Sequence, residues 1–160
     1  MKELDSKKVS ESQVIMREMV MPGQTNPQNT IFGGVVMSWI DVAAAMCAAK
    51  HSHKAVVTAH IDNIDFINPI KVGEHVIISA SVNYVGNTSM IVGVKVESEN
   101  PITREFKKTT KAYLTFVALD SNSRPTKVPG LIPESDDEKR RYKNAQERKE
   151  SRKRLSQKLK

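Results

Sequence analysis

The sequence predicts an α+β fold in which an antiparallel β-sheet wraps around a central α-helix. A nearly apolar run of helical length, residues 31–49, comes before four strand-like runs that are rich in Val, Ile and Thr. Strong turn signals separate these runs. At 160 residues the chain is long enough for one domain with a core, but it is too short for a second domain of ordinary size.

The chain begins with an extended segment, a loop and the central helix. Apolar side chains partly alternate in residues 10–21 and predict a first strand. Residues 23–30 contain Gly, Pro, two Asn and two Gln and therefore predict a loop. The helix is predicted from Phe32 or Gly33 to Ala49. Because this helix is apolar on almost every side, we expect other structure to cover it at the centre of the fold.

The four strands after the helix have lengths that suit an antiparallel meander. They are predicted at residues 55–66, 74–85, 90–99 and 108–119. The turns between them contain Asn68-Pro69 with Gly73, then Gly86-Asn87, then Asn100-Pro101. A strand, a buried helix and four antiparallel strands describe a sheet curled around one helix.

The C-terminal segment carries most of the net charge of +7. From Glu134 onward there are eleven Lys or Arg and six Asp or Glu, so this segment contributes +5. A solvated extension with a surface helix from about Asp136 is the expected structure, and no nucleic-acid partner is expected. We therefore divide the chain into a domain at residues 1–130 and a basic, charged extension at residues 131–160.

Composition disfavours several classes of protein. Ser38 and Asp41 interrupt the apolar run, which makes it a poor membrane span. Residues 1–11 lack the apolar stretch of a secretory signal, so a cytoplasmic location is expected. Cys47 is the only cysteine, which excludes an internal disulfide and a cysteine-based zinc site. The four histidines show no metal-ligand spacing, and neither a metal nor a cofactor is expected.

Asp41 is the strongest candidate for chemistry. An ionised carboxylate within an apolar helix is costly unless it is paired, hydrogen-bonded or functional. When Asp41 is considered alone, a structural role against a polar seam or a partner's backbone N–H explains it equally well. Gly33 and Gly34 open the same helix, where free N–H groups favour a developing negative charge and can form an oxyanion hole. Tight packing of the helix start is the alternative for the two glycines.

Helix geometry relates these two features. Gly34 and Asp41 are seven residues apart, which corresponds to about 10.5 Å of rise and nearly two turns, so both lie on one stripe of the helix. A reacting carbonyl lies about 3 Å from its oxyanion donors and from the base or its water. We therefore expect Gly34 of one subunit to work with Asp41 of another across an antiparallel dimer interface.

Asn26 lies in the loop before the helix and has the donors and the acceptor needed to orient a water or a carbonyl. Asn-Pro is also a standard turn former, and turn chemistry is the favoured interpretation of Asn26 from the sequence alone. The sequence contains no nucleophile elbow, P-loop or dinucleotide fingerprint.

Residues 25–41, with Asn26, Phe32-Gly33-Gly34 and Asp41, resemble the loop and central helix of hot-dog-fold acyl-CoA thioesterases. This family comprises the bacterial YciA-like and the animal brain-type acyl-CoA hydrolases. Three later stretches agree with it: Val56-Val57-Thr58, then Asp65-Phe66 with Pro69 and Val72-Gly73-Glu74, and finally Gly86-Asn87-Thr88-Ser89. The likeness covers residues 12–120, and the order of these motifs is more specific than any one of them.

The resemblance implies an enzyme that hydrolyses fatty acyl-CoA to the free fatty acid and CoA without a cofactor. Asp41 takes the place of the family's base or nucleophile, and Asn26 that of its loop asparagine. Gly33 and Gly34 take the places of the oxyanion amides. By the same resemblance, the CoA substrate contacts Thr58, Gly86, Asn87, Thr88 and Ser89. Homodimers are implied, with assembly to a hexamer as a trimer of dimers.

Two alternatives and one open question accompany this resemblance. A non-catalytic acyl-CoA-binding or sensing protein of the same fold should lack the aspartate and carry a DNA-binding helical domain, whereas this chain has Asp41 and no helix-turn-helix. A hydratase of the same fold normally has a histidine a few residues after its aspartate, where this chain has Val42-Ala43-Ala44-Ala45-Met46. Thr30 differs from the residue of many relatives and Phe32 from that of some, which leaves the preferred acyl chain open.

Overall fold

The computed structural model describes residues 4–159. Two α-helices, α1 (Gly33–Ser52) and α2 (Asp136–Lys158), accompany seven strands within these residues. The strands are β1 (Lys7–Lys8), β2 (Val14–Met19), β3 (Ala55–Phe66), β4 (His75–Val85), β5 (Ser89–Glu99), β6 (Phe106–Leu119) and β7 (Leu131–Ile132). The predicted α+β class is confirmed, and the central helix and the four long strands begin and end within a few residues of the predicted bounds.

Five strands form one antiparallel sheet in the order β2-β4-β5-β6-β3. β4, β5 and β6 form a meander, as predicted, but β3 pairs with β6 at the far edge and not with its sequence neighbour β4. The link from β3 to β4 crosses the fold, with Ile70 buried in the core and its carbonyl accepting a hydrogen bond of 2.8 Å from Ile31 N. The predicted meander is therefore wrong for β3, which pairs with β6. The link that joins it to β4 packs against the loop before α1.

One side of α1 packs on the sheet. The side chains on that side are almost fully buried, and they are Val36, Ile40, Ala43, Ala44, Cys47 and Ala48. The small alanines let the helix approach the strands closely. On the other side, Met37, Val42 and Met46 are 39%, 49% and 51% exposed. Within a single chain the sheet therefore covers only one side of the helix, and an apolar stripe on the other side is exposed to solvent.

By length and composition alone, α1 is long and apolar enough to cross a membrane, and it is the only helix of that kind within residues 4–159. Ser38 and Asp41 do not remove this property, so composition is a weaker argument against a membrane span than expected. The packing of α1 on the sheet accounts for its composition, since a helix at the core of a globular fold must also be apolar.

α2 lies against the other face of the sheet. Ser135 caps the helix, because its Oγ accepts a hydrogen bond of 3.1 Å from Glu138 N. Ala145 is buried, and the rings of Tyr142 and Tyr84 lie 5.0 Å apart. The surface helix begins at the predicted residue and most of its side chains are exposed, as expected, but the packing of one side of it on the sheet was not predicted. Its contacts use tyrosine rings and the stems of Arg and Lys, which carry no apolar signal in the sequence.

β1 and β7 join the N-terminal segment to the segment that precedes α2. Lys7 and Lys8 pair in parallel with Leu131 and Ile132, and Lys8 Nζ lies 2.9 Å from Glu134. The segment after residue 130 is thus attached to the first strand as well as to the sheet. The division of the chain at residue 130 stays a prediction.

Candidate active site

Asp41 and Thr58 meet where α1 passes the start of β3. The Thr58 hydroxyl donates a hydrogen bond of 2.7 Å to Oδ1 of Asp41. The Asp41 side chain is half-buried. Among residues 4–159, no cation forms a salt bridge with it and no other side chain hydrogen-bonds it. A carboxylate that is held by one hydroxyl through one oxygen keeps its other oxygen free to act on a water or a carbonyl carbon.

The start of α1 presents free donors. The N-cap residue Phe32 gives no side-chain cap, and its carbonyl accepts from Val35 N at 3.0 Å. The N–H groups of Gly33 and Gly34 have no acceptor in the part of the chain that the structure describes. A Cβ on Gly34 would meet nothing within 4 Å, whereas a Cβ on Gly33 would lie 3.3 Å from the ring of Phe66. Packing therefore explains the first glycine, and the second faces open space.

Asn26 closes the loop that leads into α1. Its Oδ1 accepts hydrogen bonds from Gln28 N at 3.0 Å and Thr30 N at 3.2 Å, and its Nδ2 donates to Thr30 Oγ1 at 2.9 Å. Asn29 adopts a left-handed backbone with φ 58°, which completes the turn. The turn chemistry favoured from the sequence is therefore present. Because an amide group has two N–H donors, one remains for a ligand.

The β4–β5 turn, Gly86-Asn87-Thr88-Ser89, lies at the same end of the sheet as Thr58. Thr88 accepts a hydrogen bond of 3.0 Å from Ala118 N in β6. In β3, Val56 pairs with Ala118 and Thr58 pairs with Phe116. About two strand spacings, or roughly 10 Å, therefore separate the turn from β3. The turn and Thr58 share one end of the sheet without touching.

The structure brings together only part of the predicted site. Asp41 and Thr58 are in contact, but Gly34 remains two helical turns from Asp41, and Asn26 is held within its own loop. The contact between Thr58 and Asp41 was not predicted, since Thr58 was assigned to the substrate alone. The register between β3 and β6 decides which residue of β3 faces Asp41, and no local sequence signal contains that register.

Cys47 and His51 lie on the buried side of α1. Burial raises the pKa of the Cys47 thiol to about 12. Burial also lowers the pKa of His51, although the carbonyl of Pro129, 3.0 Å from Nε2, acts in the opposite direction. His51 is inside the helix, not after it as expected. Within residues 4–159 no group of three or more His, Cys, Asp or Glu side chains is arranged to hold a metal ion.

Apolar side chains are exposed on both elements that carry the Asp41–Thr58 pair. Val42 and Met46 of α1 are about half exposed, and so are Val57 and Ile61 of β3. β3 is also an edge strand of 12 residues, and one of its sides has no partner strand within the described part of the chain. An exposed apolar face next to an unpaired strand edge is typical of a surface that another chain covers.

Several known proteins are similar to this chain. Residues 28–104 match the family model of the Thioesterase superfamily. The uncharacterized acyl-CoA thioester hydrolase YkhA of Bacillus subtilis is 42% identical over 152 residues, which cover 93% of this chain and 88% of the relative. A crystal structure of an apo-hexameric acyl-CoA thioesterase is 42% identical and superimposes with a TM-score of 0.93, covering 96% of this chain and 98% of that chain.

An acyl-CoA hydrolase from Staphylococcus aureus has been solved in complex with butyryl coenzyme A, coenzyme A and coenzyme A disulfide. It is 41% identical, with a TM-score of 0.89, and the match covers 96% of this chain and 95% of that chain. Further structures of the same enzyme carry alanine in place of one aspartate, one asparagine or one threonine.

Proposed function

Because this chain belongs to the thioesterase superfamily, we propose that it hydrolyses fatty acyl-CoA to the free fatty acid and CoA. The observation that carries the proposal is the Asp41 carboxylate, which is held at one oxygen by Thr58 and has no partner among residues 4–159 at the other. A thioester releases a thiolate, which is a good leaving group. One carboxylate with preorganised amide donors is therefore sufficient for the reaction.

Asp41 supplies the reacting carboxylate by one of two routes. As a general base, it takes a proton from the water that attacks the thioester carbonyl. As a nucleophile, it attacks the carbonyl carbon itself and forms an anhydride, which water then hydrolyses. In both routes the C–S bond breaks, the acyl group gains an oxygen from water, and the leaving thiolate takes up a proton.

The helix start provides the complementary donors. The free N–H of Gly34, with that of Gly33 beside it, stabilises the negative charge that develops on the carbonyl oxygen. Removal of one such donor typically lowers kcat by about 10² to 10³. The remaining amide N–H of Asn26, in the adjacent loop, orients the attacking water.

The variants of the Staphylococcus aureus enzyme support this choice of residues. Its substituted asparagine and aspartate are 15 positions apart, and its aspartate and threonine are 17 positions apart. Asn26, Asp41 and Thr58 have the same residue types at the same two spacings. With about 40% identity along nearly the whole chain, this agreement favours one common set of site residues.

The complete site needs two subunits. Gly34 and Asp41 lie about 10.5 Å apart along α1, which is too far for both to touch one carbonyl. The exposed side chains of Val42 and Met46 and the unpaired edge of β3 give the surface for a homodimer. Assembly to a hexamer is supported by the likeness to the hexameric acyl-CoA thioesterase structure.

The β4–β5 turn contacts the CoA part of the substrate in this proposal. The turn is closed by a hydrogen bond of 2.8 Å from Gly86 N to Ser89 O. The side chains of Asn87, Thr88 and Ser89 then offer amide and hydroxyl groups at the rim of the sheet, beside the end of β3 that carries Thr58.

A thiol-release assay on acyl-CoA substrates of several chain lengths tests the function. Wild type should release CoA, and Asp41→Ala should lose about 10² to 10⁴ in kcat. Asp136→Ala, which removes an exposed carboxylate at the start of α2, is the matched control and should behave as wild type. Equal rates for wild type and Asp41→Ala would exclude the mechanism. Binding of acyl-CoA without release from any substrate would favour a non-catalytic binding protein.

A further inference from the structure

The second half of α2 follows β6 towards the β4–β5 turn. The guanidinium carbon of Arg148 lies 4.0 Å from the centre of the Tyr113 ring, and Arg152 Nη1 donates a hydrogen bond of 2.9 Å to Thr115 Oγ1. Four helical residues rise about 6 Å and two strand residues about 6.7 Å, so the helix and the strand advance side by side. Because Ala118 of β6 contacts the turn, this direction leads α2 towards the same end of the sheet.

Lys149 reaches the turn itself. Its Nζ lies 5.1 Å from the centre of the Tyr84 ring, and a Cβ on Gly86 would come within 2.6 Å of this Nζ. No other atom would approach that Cβ as closely, since Ser89 Oγ would be 3.0 Å away. A glycine at position 86 therefore leaves room for the ammonium group. Within residues 4–159, Lys149 forms no salt bridge with an Asp or Glu.

Lys149 belongs to a strongly basic stretch. Residues 149–158 contain five cationic side chains, at positions 149, 152, 153, 154 and 158, and one acidic residue, Glu150. The helix C-terminus adds only about half a negative charge, which these cations exceed. Lys149, Arg152 and Lys153 are spaced i, i+3 and i+4, so they share one side of the helix. The end of α2 therefore presents a positive surface beside the turn.

We propose that Lys149, assisted by Arg152 and Lys153, binds the phosphate groups of the CoA part of the substrate. This inference rests on the function proposed above. In an acyl-CoA molecule an extended pantetheine arm separates the thioester from the phosphates. When the thioester lies at Asp41, the phosphates must lie well away from it, and the rim beside the β4–β5 turn is within reach at roughly 10 Å from β3. A lysine ammonium is a compact charge with three donors, which suits a phosphate.

The test compares two thioesters of the same acyl group, one on CoA and one on pantetheine, which has no phosphate. Lys149→Met keeps the length of the side chain and removes its charge. It should raise KM for the acyl-CoA about three- to tenfold, as expected for a partly exposed charge pair, with kcat changed less than about twofold. KM for the acyl-pantetheine should not change. Lys149→Arg should restore most of the affinity for the acyl-CoA.

Lys143→Met is the matched control, because Lys143 is an exposed lysine on the same helix, six residues or about 9 Å of rise before Lys149. It should leave both KM values unchanged, and the wild-type KM for acyl-CoA should rise with salt more steeply than that of Lys149→Met. An equal rise of KM for both thioesters, or no rise for either, would overturn the assignment while wild type still hydrolyses acyl-CoA. A wild type without hydrolysis would instead overturn the proposed function.

Discussion

Two variants that are each inactive should restore activity when they share a dimer. Asp41→Ala removes the carboxylate, and Asn26→Ala removes the loop amide next to the start of α1. The separation of about 10.5 Å between Gly34 and Asp41 along α1 assigns these two parts to different subunits in our proposal. One complete site then takes the loop and the helix start from one subunit and Asp41 from the other.

The expected activity follows from counting sites. A mixed dimer of the two variants has one site with both residues intact and one site with neither. Random pairing at equal amounts makes about half of all dimers mixed, so the preparation should regain about a quarter of the wild-type kcat. Asp41→Ala alone should retain less than about 1%, because general base catalysis supplies at least about 10².

The assay is CoA release after coexpression of the two chains at equal levels. The loop should survive Asn26→Ala, since the main-chain hydrogen bond of 2.8 Å from Asn26 N to Thr30 O remains. Wild type coexpressed with the double variant Asn26→Ala/Asp41→Ala is the control, and a shared site again gives about a quarter of the activity. If the first mixture is inactive and the control keeps about half, the site lies within one subunit and is not shared between two.

Three further predictions concern single side chains. Thr58→Val removes the hydrogen bond to Asp41 Oδ1 and should lower kcat about tenfold, whereas Thr58→Ser should keep most of the rate. Steady-state kinetics of the valine variant equal to those of wild type would show that Thr58 is not part of the site. Burial lowers the pKa of His51, so as the pH falls the unfolded chain binds the proton before the folded chain does. The free energy of unfolding should therefore decrease below pH 6.5, by up to about 1.4 kcal/mol per pH unit. Denaturant unfolding at several pH values should show this loss, and His51→Gln should reduce it; an unchanged pH dependence would exclude His51 as its source. The Cys47 thiol, with a pKa of about 12, should stay unreactive towards a disulfide reagent until the protein unfolds, and rapid labelling of the native protein would contradict its burial.

Local patterns were sufficient for most elements of the fold. The apolar run that becomes α1 and the Val-, Ile- and Thr-rich runs that become β3 to β6 each contain their own signal, and Gly or Asn-Pro residues separate them. The end of α1 was placed too early because His51 and Ser52 are polar, yet both are buried on the side that faces the sheet and the Pro129 carbonyl. Helix propensity depends on a residue and its neighbours in sequence, whereas the helical conformation of these two residues depends on contacts with residues that are distant in sequence.

Contacts between residues that are distant in sequence determine the position of Thr58 and the packing of α2, which the sequence does not predict. The pairing of β3 with β6 places Thr58 at Asp41, and the contacts of Arg148 and Lys149 with tyrosine rings hold α2 on the sheet. None of these contacts leaves a periodic pattern. For the part of the site on the other subunit, the sequence offers only a spacing: Gly34 and Asp41 are too far apart on one helix for both to contact a single carbonyl.

The partner of β3 is synthesised long after β3 itself. Ala55 pairs with Leu119 and Phe66 pairs with Thr110, so the strand that carries Thr58 leaves the ribosome without its partner strand. At about 5 to 20 residues per second, several seconds of translation pass before β6 is complete. Pairings between such distant segments are also slow to form. The position of Thr58 at Asp41 therefore depends on a strand that is made well after both residues, so we expect the reactive pair to be fixed only once β6 has joined the sheet.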